Sequence, residues 1–225
     1  MSAAEVLHKV PLFSDLNEGE LARFAEVTRE REYPKNSVIL FEDDPGDALY
    51  IVSTGQVKVV LIGEDGREVI LSVLGDGDFF GEMALIDDEP RSAHVIAMKD
   101  SQLLVLRRDD FQSQLRDHPT IALKLLRELV QRLRRADEKI GGLVLLDVNG
   151  RVAQLLLDLA DESGGPKITR KLTHHTIAQM IGSSRETVSR AMRELVEKGL
   201  IEVSRREITI RQRDALGAMA GARPA

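Results

Sequence analysis

The sequence predicts an α+β chain: an N-terminal antiparallel β-roll of the jelly-roll kind, a long dimerisation helix, and a C-terminal winged helix-turn-helix domain. Three patterns carry this. From Glu32 to Arg107 the apolar residues fall in short runs (VILF, LYIV, VKVVLI, EVILSVL, HVIAM, LLVL) parted by Pro45-Gly46, Asp65-Gly66 and Gly75-Asp76-Gly77. That is the spacing of short strands in a sandwich or barrel. After Pro119, residues Ala122, Leu126, Leu129, Leu133, Ala136, Ile140 and Leu143 recur at alternating intervals of four and three, the heptad seam of a two-stranded coiled coil. Near the C-terminus, KLTHHTIAQMIGSSRETVSRAMRELVEKGL reads as two short amphipathic helices broken at Gly182, the pattern of a helix-turn-helix.

Taken in order, helices are expected over Ala3–Lys9 and Glu18–Thr28, the second capped by Asn17 and burying Leu21, Phe24 and Ala25. Within the β-roll, Glu64-Asp65-Gly66-Arg67 reads as a hairpin turn, because Asp-Gly accepts the positive φ of a tight reversal. Residues 119–146 form the long helix, on the order of 40 Å at 1.5 Å per residue. Its seam is expected to pair two copies in parallel while Leu125 and Val130 serve the β-roll. Residues 147–149 then read as a hinge, with Asn149 capping a helix over Gly150–Glu162 that stops at Gly164-Gly165-Pro166. In the helix-turn-helix, Ser183 and Glu186 match a capping box for the second helix. Leu200–Ile210 follows as a two-stranded wing turning at Arg205-Arg206. The domains expected are 1–118 (β-roll with flanking helices), 119–146, the hinge, and 150–214 (winged helix-turn-helix), with 215–225, rich in Ala and Gly, disordered.

Charge separates the two ends. The 225 residues hold 31 Lys+Arg against 37 Asp+Glu, a net of -6. Residues 164–213 alone hold 11 basic and 5 acidic side chains, so that segment is +6 and the remainder -12. Only the basic segment suits contact with phosphate. There is no cysteine, which excludes disulfides, thiol switches and cysteine-held metal clusters. No membrane-length apolar run or cleavable leader pattern is present, and a cytoplasmic protein without a membrane partner is expected.

Two clusters carry chemistry. The second helix of the helix-turn-helix presents Arg185, Glu186 and Arg190, whose donors and acceptors suit guanine O6/N7 and cytosine N4 in the major groove of double-stranded DNA. Ser184, Thr187 and Ser189 add small polar groups, and Thr173 and His174 open the preceding helix, where phosphate contact is favoured. The plainer alternative is that Glu186 and Arg190 form a surface ion pair. The other cluster is FFGEMALIDDEPRSA, Phe79–Ala93. Gly81 lets backbone donors approach an anion, Met83 begins a short helical turn, and Arg91 and Ser92 supply charged and hydroxyl donors. Glu82 suits a sugar hydroxyl, so a cyclised phosphate on ribose satisfies the set. The alternative is a surface loop whose acids keep Arg91 solvated.

The combination of β-roll, Gly-Glu to Arg-Ser cassette, long helix, LDVNGR and SSRETVSR resembles the CRP/FNR transcription regulators, closest to the cyclic-AMP receptor protein branch, across nearly the whole chain. The resemblance implies a homodimeric bacterial regulator, not an enzyme, with 3',5'-cyclic AMP as allosteric effector and RNA polymerase as a partner. It implies that Glu82 holds the ribose hydroxyl, Arg91 and Ser92 the cyclic phosphate, and that Arg132 approaches Glu82 from the long helix. Arg185, Glu186 and Arg190 fall on base-reading positions, implying a palindrome of TGTGA and TCACA half-sites. In one place the chain departs from that pattern. Where the branch has a Thr-Ser pair against the adenine, this chain has Ala136 and Asp137. A carboxylate accepts from adenine's amino group or from guanine's N1–H and N2–H2, which leaves cyclic AMP, cyclic GMP, cyclic di-GMP or no ligand open. Arg132 and Asp137, at g and e of the heptad, could instead pair across the dimer. Haem or metal sites would have to draw on His8, His94, His118 or the pair His174 and His175; lone histidines are more often surface or capping groups, and no metal is expected.

Overall fold

The computed structural model describes residues 3–170, 172–204 and 207–221. It divides into two compact units, Met1–Arg132 and Leu133–Ala225, the division falling inside the long helix.

In the first unit, α1 (Ala3–Lys9), a 3-10 turn (Pro11–Phe13) and α2 (Glu18–Glu26) precede the strands. The Asn17 side chain accepts from the Glu20 amide at 3.0 Å while Glu20 accepts from the Asn17 amide at 2.8 Å, a reciprocal cap. α2 stops at Glu26, short of the expected Thr28, because Thr28 opens β1 (Thr28–Tyr33). Next come β2 (Val38–Leu40), β3 (Ala48–Thr54), β4 (Val57–Ile62), β5 (Glu68–Leu74) and β6 (Phe79–Phe80). The short helix α3 (Met83–Ile86) precedes β7 (His94–Ala97) and β8 (Ser101–Arg107). They form two antiparallel sheets, β1-β8-β3-β6 and β2-β7-β4-β5. The expected hairpin at Asp65-Gly66 joins β4 to β5; there Gly66 alone takes a positive φ, 76°.

β3 reads ALYIVST and is buried along nearly its whole length, because side chains alternate between two covered faces. Tyr50 and Val52, with Leu103 and Val105 of β8, face the second sheet's Val57 and Val95. Leu49 and Ile51, with Leu104 and Leu106, face the helices, meeting Leu7, Phe13 and Phe24. That helical layer is completed by α4 (Arg108–Asp117), through Phe111, and by the start of α5 (Pro119–Leu145), through Ile121 and Leu125. Val130, expected to serve the β-roll with Leu125, does not: five residues on, it is turned about 140° round the helix and stays 50% exposed. Along the heptad seam Leu126, Leu133, Ile140 and Leu143 are each between 53% and 61% exposed.

The second unit continues α5 and adds α6 (Val148–Glu162), β9 (Lys167–Ile168), α7 (His174–Ile181) and α8 (Arg185–Glu197). The wing, β10 (Ile201–Ser204) and β11 (Glu207–Ile210), pairs in the order β10-β11-β9; its expected turn at Arg205 and Arg206 lies outside the described residues. Two caps differ from expectation. Asp147, not Asn149, caps α6, its carboxylate accepting from the Gly150 amide at 2.8 Å, so the helix starts two residues early. Ser184, not Ser183, caps α8. Gly182, at φ 64°, ends α7, and the Ser183 amide donates to the Ala178 carbonyl at 2.9 Å, which makes Ser183 part of the preceding helix's termination. The tail expected to be disordered begins instead with α9 (Arg213–Met219), whose Leu216 is fully buried in a core with Val152, Leu156, Val188 and Leu195. Residues 222–225 lie outside the described set.

Candidate functional site

The FFGEMALIDDEPRSA segment builds its site around two buried charges. Glu82 is 2% exposed and Arg91 3%, burial that carboxylates and guanidinia tolerate only with partners. Gly81 sits at φ 83°, turning the chain so that its carbonyl accepts from Arg91 Nη1 at 2.7 Å. Arg91 Nη2 donates to the Ala48 carbonyl at 2.9 Å and lies 3.4 Å from Asp47. Arg91 Nε is buried with no acceptor among the described residues. Beneath it the Tyr50 ring, 5.9 Å from the guanidinium carbon, stacks on Phe80 at 5.2 Å. Arg91 therefore turns inward toward backbone and is not the solvated loop residue that the sequence offered as the alternative.

Glu82 is answered from the long helix. Arg132 Nη1 donates to its carboxylate at 2.9 Å and Nη2 to the Phe79 carbonyl at 2.8 Å, with the guanidinium 4.7 Å over the Phe79 ring. Burial pushes the Glu82 carboxyl up, and the Arg132 charge draws it back. Glu128, one turn earlier, lies 3.3 Å from Arg132 Nε. Within one chain the Arg132 guanidinium is thus engaged by Glu82, Phe79 and Glu128. Ala136 and Asp137 themselves are exposed on α5, in the second unit. Met83 and Ser92 are exposed at the rim, the Ser92 hydroxyl 3.8 Å from the Met83 sulfur. Arg108, which sequence reasoning missed, donates to the carbonyls of Gly46 at 2.6 Å and Ala84 at 2.7 Å and so fixes α3. Its only sequence signal is a charged residue directly after an apolar strand.

Replacing Gly81 by Ala should cost about 2 kcal/mol or more in urea unfolding. An added Cβ would stand 2.7 Å from Arg91 Nη1 and 3.1 Å from the Ala48 carbonyl, at a φ that side chains avoid. An unchanged midpoint would refute this.

In the second unit the Thr173 and Ser184 hydroxyls cap α7 and α8, accepting from the amides of Thr176 at 3.0 Å and Thr187 at 3.2 Å. Arg185, Glu186 and Arg190 are exposed and, with Ser189, line one shallow depression. Arg193, also lining it, was missed, although three residues after Arg190 it shares that helix face. Arg190 reaches Thr187 Oγ1 at 3.4 Å, and among the described residues no ion pair joins it to Glu186. His174 is exposed at the N-terminus of α7 beside His175. His94 accepts from the Glu42 amide at 3.1 Å, and His118 faces Glu20 at 3.6 Å. Among the described residues no three metal-ligating side chains group together, and no helix is long and apolar enough to cross a membrane.

Residues 30–118 match the cyclic nucleotide-binding domain family and residues 150–219 the Crp-like helix-turn-helix domain. The chain is 33% identical to the CRP-like cAMP-activated global transcriptional regulator of Mycobacterium tuberculosis, over 96% of this chain and 99% of that protein. It is 36% identical to the cyclic AMP receptor protein of Thermus thermophilus, over 90% and 93% of the two chains. Among solved structures it resembles the c-di-GMP responsive global regulator CLP of Xanthomonas campestris. That match has a TM-score of 0.75 at 26% identity, covering 86% of this chain and 99% of that one.

Proposed function

The chain belongs to the CRP/FNR family of transcription regulators, and we propose that it acts as a cytoplasmic homodimer that binds 3',5'-cyclic AMP in the β-roll and then a palindromic DNA site of TGTGA and TCACA half-sites. The observation that carries the effector half is the Glu82–Arg132 pair, its carboxylate buried, beside an Arg91 whose Nε–H lacks an acceptor among the described residues. A buried donor left unmet costs about 1–3 kcal/mol, which an anion's oxygen removes. A cyclic nucleotide supplies that anion and a ribose hydroxyl on one rigid frame. Gly81, Arg91 and Ser92 would hold the phosphate; Met83 lies at the rim. The guanidinium is already oriented by two carbonyls, so little side-chain freedom is lost on contact. Glu82 would accept from the ribose hydroxyl and share its carboxylate with Arg132, so that occupancy is felt in α5.

The dimer half is supported by the exposed seam of Leu126, Leu133, Ile140 and Leu143, apolar surface of the kind that marks an interface. Ligand would favour one arrangement of residues 147–149, and that arrangement would set the two α8 helices about one DNA turn apart. Arg185, Glu186 and Arg190 would read bases, with Ser184, Thr187 and Ser189 beside them. Thr173, His174 and Arg193 would touch phosphate. RNA polymerase is the further partner this role needs.

Affinity for a labelled palindrome, measured with cyclic AMP, cyclic GMP and cyclic di-GMP in turn, tests the effector. Tightening by cyclic AMP is expected, and no tightening by any of the three would end the effector half while leaving the DNA half standing. A guanine effector is the second reading, favoured by the Asp137 carboxylate, which suits guanine's donors; the CLP neighbour is named as responsive to c-di-GMP. Arg185→Ala should cost about 1–3 kcal/mol on the palindrome and relax preference at one base pair. An equal loss on random DNA would assign Arg185 to phosphate instead.

A further inference from the structure

We propose that Asn149 and Glu194 form a polar latch through which the first turn of α6 sets the orientation of the recognition helix α8. The inference rests on α8 being the DNA reader. Asn149 stands directly after the break between α5 and α6, yet the cap it was expected to provide comes from Asp147. Asn149 donates instead, Nδ2 to Glu194 Oε2 at 2.8 Å. The other carboxylate oxygen of Glu194 accepts from Lys198 Nζ at 2.6 Å. These hydrogen bonds, that from Lys198 first, hold the Glu194 carboxyl below its ordinary range, so the acceptor stays ionised.

The position of Glu194 supports a purpose for the contact. Four residues after Arg190 it lies near the reading face, where a bare carboxylate would repel DNA phosphates. Lys198 offsets that charge, and Asn149 gives it something to grip. Among the described residues this is the one side-chain hydrogen bond joining α6 to α8; otherwise the helices meet through the apolar core that holds Val152, Leu156, Val188 and Leu195. Apolar contact is non-directional. A hydrogen bond to a carboxylate fixes direction. With it in place, a change in chain direction at Leu146-Asp147 turns α8, and with it Arg185, Glu186 and Arg190.

The test compares the full-length wild type with Asn149→Asp, Asn149→Ala, Glu194→Gln and the double variant Asn149→Asp with Glu194→Gln. Affinity for a labelled palindrome is measured with and without saturating 3',5'-cyclic AMP, beside cyclic AMP affinity and Tm. Asn149→Asp sets two carboxylates face to face, and Asn149→Ala removes the donor. Both should lose roughly tenfold of the enhancement that cyclic AMP gives, with nucleotide affinity unchanged and Tm lowered by only about 2–4 °C. Glu194→Gln keeps an acceptor, and the double variant restores a donor–acceptor pair in the reverse sense; both should keep the enhancement. Full enhancement in the Asn149 variants, an equal loss with and without nucleotide, or no rescue in the double variant would overturn the latch alone. A wild type that does not bind the palindrome, or binds it no better with cyclic AMP, would overturn the proposed function and the latch together.

Discussion

Leu133→Glu combined with Ile140→Glu should leave the chain monomeric in analytical ultracentrifugation and weaken binding to the full palindrome by about 100-fold or more, the advantage lost when two linked half-site contacts become one. The two side chains are 61% and 59% exposed in the single chain. Burying each against a partner contributes about 1.5–3 kcal/mol, and a carboxylate buried there without a partner costs more than the leucine gave. The Glu82–Arg132 and Arg91 contacts lie within one chain, so the β-roll should keep its circular dichroism and the loss should be confined to assembly and DNA. A dimer of unchanged stability would show that the exposed seam is not the interface.

Arg91→Lys should lower cyclic AMP affinity by about 100-fold, because a lysine cannot reproduce the guanidinium fork that binds two carbonyls and still offers a further N–H. It should also lower unfolding stability by about 2–3 kcal/mol, since the carbonyls of Gly81 and Ala48 lose donors at 2.7 and 2.9 Å in a buried place. Ser92→Ala at the exposed rim should cost only a few-fold in affinity and nothing in stability. Calorimetry against cyclic AMP, with urea unfolding alongside, separates the two effects. Near-wild-type affinity in Arg91→Lys would remove Arg91 from the anion site.

What could be read in the chain depended on how local its physical cause was. β3 and β8 announced themselves because both faces of each strand are covered, which leaves unbroken apolar runs. β1 did not: among the described residues TREREY pairs only with β8, and it exposes its four central residues, so it has no apolar alternation to detect, and its charges guard a sheet edge. The helix-turn-helix was legible from Gly182 and the polar run after it. Its cap slipped by one residue because Ser183, three before Glu186, matches a capping box, and only the termination of α7 after Gly182, where the Ser183 amide donates to the Ala178 carbonyl, decides for Ser184. Asp147 and Asn149 posed the same ambiguity. The α9 helix was masked by its Ala and Gly content, while the burial of Leu216 that stabilises it is a tertiary event. In the site, the residue types around Gly81 were readable. The inward turn of Arg91 toward the Gly81 and Ala48 carbonyls, the fixing of α3 by Arg108 and the grip of Asn149 on Glu194 were not. Each joins residues distant in sequence through a contact that leaves no spacing pattern.

The central claim is that nucleotide in the β-roll and DNA on α8 favour the same arrangement of one dimer, and linkage then requires each to strengthen the other equally. Isothermal calorimetry of 3',5'-cyclic AMP into the protein alone and into the protein saturated with palindromic DNA measures this directly. The nucleotide Kd should fall in the complex, by the same factor by which saturating nucleotide lowers the Kd for DNA. Identical nucleotide affinity in the two titrations would contradict the account.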